Sequence, residues 1–361
     1  MKYKEDWPTA KQRFLAFWQG ELIDRCCVAV QAPRDGGVYV PPEPPLDADE
    51  LLKWWLDPED NLKRMLAEFE HTYYGGEAFP AATMCLGASV LAGFYGSPAE
   101  FRPETVWYHP TIQDWDTARL CFDPGANELY RVTIEALRYY TAECRERYLV
   151  SLPELGAATD DLSLLRGMQP LLMDMLDRPE PVRAAIALLA DTWGRVHTEM
   201  YQIAAPCNDG GGCIAWMQTW APGSHYQMSC DFSAVLSPRL FREFITPEIQ
   251  AYLGVNEYSV YHWDGPDAVK HLDSLLAMAE IDAIQWTQGE GQAPASDPRW
   301  IPNYRKIQQA GKKLILPFVE INEIETLLGQ ISSRGLMIRT RASSEEEARD
   351  LLKKVAGWTR D

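Results

Sequence analysis

The 361 residues contain no Cys-x-x-Cys pair, no Gly-x-Gly-x-x-Gly loop after a strand, and no apolar run near the ~20 residues that span a bilayer. Lysine and arginine never cluster beyond the pairs Lys312-Lys313 and Lys353-Lys354. They total 34 against 52 aspartates and glutamates, a formal charge of -18. Each shortage removes a class of function. A surface so acidic repels phosphate backbones and anionic bilayers, so neither nucleic acid nor membrane is an expected partner. Without the glycine loop a nucleotide cofactor is not expected. The start, Met1 to Pro8, lacks the basic-then-apolar pattern of an export signal. The eight scattered cysteines are therefore expected to be reduced thiols in a cytoplasm, most of them small buried hydrophobes.

What the chain has is apolar mass and aromatic rings: 46% hydrophobic residues, 13 Trp and 16 Tyr. Charged residues at 24% suit a folded globule. The second half is the more legible. Short β-branched and aromatic runs at Tyr258–His262, Ala283–Trp286, Lys313–Leu316 and Leu336–Ile338 read as strands. Helical stripes follow them, through Val269 to Leu276, about Pro298 to Gln309, Ile321 to Leu328, and Ala348 to Val355. Ser343 with Glu346 is the capping signature of the last. Strand and helix alternating every 25 residues or so imply a parallel sheet, and the chain length favours a (β/α)8 barrel.

The first half is more helical, at Ala10–Gly20, Ala48–His71, Glu128–Arg147 and Pro181–Ile203. Strands are expected at Cys27–Gln31, Thr105–Tyr108, Tyr148–Leu152 and Cys213–Trp216. Asp35 to Pro45, rich in proline and glycine, reads as an excursion over the barrel opening. No boundary divides the chain, so residues 1–361 are expected to form one barrel domain with an N-terminal helical extension.

In such folds the working residues follow the C-terminal ends of the strands. That rule nominates Gln31 and Arg34, Glu154 with Asp160-Asp161, and Trp216, Gln218, Trp220, His225, Tyr226, Cys230 and Asp231. It further nominates His262, Trp263 and Asp264, then Gln285, Trp286 and Glu290, and finally Arg339 and Arg341. His262-Trp263-Asp264-Gly265 carries the most chemistry. Strand alternation points His262 and Asp264 to one face, where they can ligate a divalent metal or act as acid and base. Asp264 can equally cap the helix opened by Pro266. Asp231, upstream of Ser237-Pro238, has the same two readings. Trp216, Trp220, Trp263 and Trp286 beside carboxylates suit a flat organic substrate, and Arg34, Arg339 or Arg341 can take its carboxylate.

Three stretches resemble the uroporphyrinogen decarboxylase superfamily. Lys11 to Gly20 with Asp24-Arg25 looks like its opening helix, and Leu176-Asp177-Arg178-Pro179-Glu180 is similar to its DRPE segment. Leu236-Ser237-Pro238-Arg239-Leu240-Phe241 with Pro247 is similar to its SPxxFxxxxxP helix. The resemblance implies a (β/α)8 barrel and a homodimer. The decarboxylases' arginine motif, RQAGR, is matched by Val30-Gln31-Ala32-Pro33-Arg34, with one arginine kept. The superfamily's corrinoid- and thiol-dependent methyltransferases carry His-x-Cys-Gly and a later cysteine for zinc. Here Asp264 stands for the first cysteine, and no cysteine follows Cys230.

These readings converge on a methyltransferase acting on a small organic methyl donor. Its catalytic residues are expected to be His262, Asp264 and Asp231, with His262 and Asp264 able to hold zinc or another divalent metal. Arg34, Trp216, Trp220, His225, Tyr226, Gln285, Trp286 and Glu290 are the expected substrate contacts. A corrinoid protein or another acceptor is expected to receive the methyl group. A decarboxylase or lyase of a small carboxylated substrate, glycoside cleavage by paired carboxylates, and a small-molecule binding protein on a decayed barrel are the alternatives.

Overall fold

A computed structural model describes residues 1–34 and 39–360. Part of the expected Asp35-to-Pro45 excursion, residues 35–38, lies outside the described residues. The centre is a seven-stranded sheet with six parallel strands. In spatial order they are Cys27–Pro33, Leu336–Arg341, Lys313–Leu316, Ala283–Thr287, Tyr258–Asp264 and His225–Met228. Thr72–Gly76 adds an antiparallel seventh against Cys27–Pro33. The four C-terminal strands lie where the repeat places them. The helices Ile301–Gln309, Ile321–Leu328 and Glu345–Trp358 follow three of them. A short 3-10 helix, Pro266–His271, precedes the short helix Leu272–Leu276 after the other.

The ladder does not close into the expected eight-stranded barrel. Ala81–Ala82 pairs only with Leu149–Val150, and Gly212–Ile214 folds back antiparallel on Thr219–Ala221. Strands of two or three residues are too short to carry full ladders on both sides. Side chains bridge the gaps instead. The Asn208 amide donates to Val150 O and accepts from Val150 N, each at 2.8 Å. Gln218, held at φ 58° in the hairpin turn, accepts from Phe79 N at 2.8 Å. Ser151 Oγ donates to Cys213 O and accepts from Ala215 N.

Other differences have local causes. The Ala48-to-His71 helix is two, Ala48–Leu56 and Pro58–His71, because Asp57 ends one and its carboxylate caps the other at Glu59 N and Asp60 N. Val106–Tyr108 pairs with Ala99–Phe101 in a hairpin outside the main sheet. The last helix is capped one residue later than expected: Ser344 accepts from Glu347 N, while Ser343 bonds the Glu347 carboxylate. The sheet strand in the middle of the chain is His225–Met228, fully buried, rather than Cys213–Trp216.

Packing fixes the N-terminal ends of the strands. Glu77 is buried with Arg25, accepting from its Nη1 at 2.6 Å and from Val28 N at 2.6 Å. Trp7, Phe14, Phe79 and Trp220 form an aromatic cluster, with Phe79 edge to face against Trp7 and Phe14, Trp7 edge to face against Trp220, and Phe14 tilted against Trp220. Among the described residues no helix is long and apolar enough to cross a membrane.

Candidate active site

Parallel pairing aligns the C-terminal ends of the strands, and register sets which side chains share a face. His262 pairs with Gln285, Asp264 with Thr287, and Val260 with Gln227. All of these therefore point to one side of the sheet, while Trp263 and Trp286 point to the other.

On that shared face Asp231, His262 and Asp264 come together, with one ligand atom from each within 4.8 Å of the others. His262 Nε2 lies 3.8 Å from Asp231 Oδ1. Its other nitrogen, Nδ1, is committed to Gln285 Oε1, and Gln285 Nε2 in turn donates to Thr287 Oγ1 at 2.8 Å. The chain of donors fixes the proton on Nδ1 and leaves Nε2 as the free lone pair. Asp264 Oδ1 is buried with no hydrogen-bond partner. Burial raises the Asp264 pKa, and Asp231 adds to the rise while His262 opposes it.

The capping alternatives are settled by hydrogen bonds. Gly265, at φ 75°, precedes the 3-10 turn after Asp264, and no side chain caps that turn. Ser237, not Asp231, caps the helix at Pro238 by accepting from Leu240 N. Asp231 itself opens a short 3-10 helix, Asp231–Val235, whose first amides are held by Asp160: its carboxylate accepts from Asp231 N and Phe232 N. Both carboxylates of the cluster are thus free for chemistry.

Two further residues complete the floor. Glu154 accepts from the Gln227 amide and from Trp216. Burial pushes its pKa up to about 7, against those two hydrogen bonds. Trp216 also stands edge-on to the His262 ring, centroids 5.3 Å apart, and its carbonyl accepts from Arg339 Nη1 at 2.7 Å. One tryptophan touches the imidazole, the acid and the arginine.

Of the expected substrate contacts, Trp216 and Gln285 lie at this cluster. The others are elsewhere, each for a visible reason. Trp220 is buried among Trp7 and Phe14, with Nε1 donating to Asn208 O. His225 is tied to Thr219 Oγ1 and Tyr258 O at 2.8 Å each, and burial lowers its pKa to about 4. Tyr226 braces the backbone at Pro153 O and Leu155 N. Trp286 packs at a tilt between Trp263 and Trp300, on the opposite face from His262. Glu290 is exposed on its loop and is not among the clustered ligands. Arg34 reaches Tyr3 O and Thr72 O, both at 3.4 Å. Glu154 is reached by the strand-end rule alone; its depth and its acid strength come from packing that a single sequence does not display.

No protein-family model matches the sequence, and no curated protein matches it. The fold is similar to that of a methyltransferase from Methanosarcina mazei, with a TM-score of 0.62 at 16% identity, covering 96% of this chain and 98% of the other. At that identity the likeness speaks to the fold.

Proposed function

We propose that this chain is a methyltransferase of the uroporphyrinogen decarboxylase-type barrel, taking a methyl group from a small organic donor. The observation that carries the reading is the grouping of Asp231, His262 and Asp264, one ligand atom of each within 4.8 Å of the others, with Asp264 Oδ1 buried and without a hydrogen-bond partner. One imidazole and two carboxylates form a hard donor set that suits zinc or another divalent cation of the first transition row. The likeness in fold to a protein named a methyltransferase agrees with it.

His262, Asp231 and Asp264 would hold the metal, which supplies Lewis acidity to the heteroatom losing the methyl group. The chain's own residues do the rest. Gln285 keeps the His262 ring oriented through Nδ1. Glu154, which holds a proton up to about pH 7, can return it to the leaving heteroatom as a general acid. Trp216 walls the site and excludes water. A corrinoid protein is the proposed acceptor and a homodimer the proposed assembly, both on the sequence resemblance alone.

The test is elemental analysis of the purified protein and of His262→Ala. Near-stoichiometric divalent metal in the first and its loss in the second support the reading. Wild-type protein that takes up no zinc, manganese or cobalt on equilibrium dialysis overturns it.

A further inference from the structure

Beside the cluster, and separated from it by Trp216, lies a cavity of about 460 Å³. Its lining includes Arg64, Arg339 and Arg341, with Glu68 the only carboxylate among the described lining residues. In a chain of net charge -18, that is a local reversal of sign. Arg339 is the informative member. It is half-buried, and among the described residues its Nη groups bond only neutral acceptors, Trp216 O and Gln31 Oε1, while its Nε is buried with no partner. A guanidinium drawn out of water without a carboxylate is costly unless something anionic completes it. Burial and the neighbouring Arg341 lower its pKa to about 10, the strain an incoming anion would relieve.

Arg339 and Arg341 alternate on one strand and so present to the same face, opposite Ala29 and Gln31. Arg64 enters from the Pro58–His71 helix, stacked 3.7 Å over the Trp54 ring and anchored to Trp54 O at 2.7 Å. The walls between are Trp54 and Trp216. Arg34, the arginine that the family resemblance nominates, takes no part in this lining. The volume fits a molecule of one or two rings.

We propose that this cavity is the anion subsite of the substrate, and that the substrate class is a planar, ring-bearing organic acid. Its carboxylate or sulfonate pairs with Arg339 and Arg341, and its ring lies between Trp54 and Trp216. The proposal rests on the methyltransferase reading for the identity of the reacting end, which would lie across Trp216 at the His262 cluster. It does not rest on that reading for binding.

Binding can therefore be tested alone, by calorimetry and tryptophan fluorescence on the full chain, with benzoate, benzenesulfonate and benzamide as probes. Benzoate or benzenesulfonate is expected to bind saturably, and the stronger of the two identifies the anion. The neutral isostere benzamide is expected to bind at least tenfold more weakly. Arg341→Gln, at an exposed position that leaves the fold intact, and Arg339→Gln are each expected to weaken the preferred anion by on the order of tenfold or more. Asp264→Asn should leave anion binding in place while metal uptake falls, so the two proposals fail separately. No saturable binding of either anion, equal binding of benzamide, or unchanged affinity in both arginine variants would overturn the subsite.

Discussion

His262 Nε2 faces Asp231 Oδ1 across 3.8 Å, although the two residues arrive on different elements, one at the end of a strand and one at the start of a 3-10 turn. What holds the second in place is Asp160, whose carboxylate takes the amides of Asp231 and Phe232. Asp160→Asn keeps the shape but offers one acceptor oxygen where the carboxylate uses two, so one of the two amide bonds is lost. The expected outcome is metal affinity reduced ~10-fold to 100-fold with little change in Tm, read by competitive chelator titration.

Glu154 gives a stability signature of its own. Its folded pKa, about 7, exceeds the ~4.3 of an unfolded glutamate. Between those values the native state holds a proton that the unfolded chain has released, so the contribution to stability falls as pH rises through that window and is constant above it. Glu154→Gln should remove a decline on the order of 2 kcal/mol between pH 4.5 and 7. Urea midpoints of the two proteins across that range would show parallel slopes if the assignment were wrong.

His197 behaves in the opposite sense. It is buried against Trp193 and Tyr201 with neither ring nitrogen bonded, and burial lowers its pKa to about 4. The unfolded ring takes a proton near pH 6.5; the folded one resists. Stability is complete above that pH and is lost as pH falls towards 4. His197→Phe, which keeps the stacking, should lessen acid destabilisation by roughly 3 kcal/mol over this interval, as measured by thermal melts at pH 4.5 and 7.

The Arg25–Glu77 pair should matter to the fold and not to the site. Glu77→Gln leaves Arg25 buried with its charge unmatched. A loss of about 3 to 5 kcal/mol is expected, with metal stoichiometry unchanged in the fraction that remains folded. Chemical denaturation alongside elemental analysis separates the two.

Trp216 and Trp286 offer a paired control. Trp286 is buried against Trp263 and Trp300, so Trp286→Phe should cost ~1 to 2 kcal/mol of stability and leave ligand affinity alone. Trp216→Phe should do the reverse, because its ring lies at His262 and lines the arginine cavity. A shift of affinity in the first variant and none in the second would contradict the assigned faces.

The contrast between these two tryptophans also shows what the sequence can and cannot tell. The alternation of His262 and Asp264 was legible because a strand has period two and its run was unmistakable. The same alternation places Trp286 on the far face once the register with Trp263 is known, but register is a property of two strands. His225 and Tyr226 read as loop residues because the run His-Tyr-Gln-Met has no β-branched member; burial on both faces made it a strand regardless. Arg339 was one of several arginines at strand ends. Only its solvation, with a carbonyl and an amide where a carboxylate is usual, distinguishes it from the rest.

The side-chain stitches at Asn208, Gln218 and Ser151 divide the sheet into two kinds of material. On one side, seven strands share continuous ladders. On the other, the short pairs Ala81–Ala82 with Leu149–Val150 and Gly212–Ile214 with Thr219–Ala221 are joined to their neighbours by single amides and hydroxyls. Thermal fluctuation should therefore unzip the molecule along a seam rather than from its ends. The Val150 and Phe79 amides would exchange with solvent long before those of Val260 or Ile284. Trp216 sits where that seam meets the ordered strands, so the surface that would receive the substrate borders the part of the molecule that yields first.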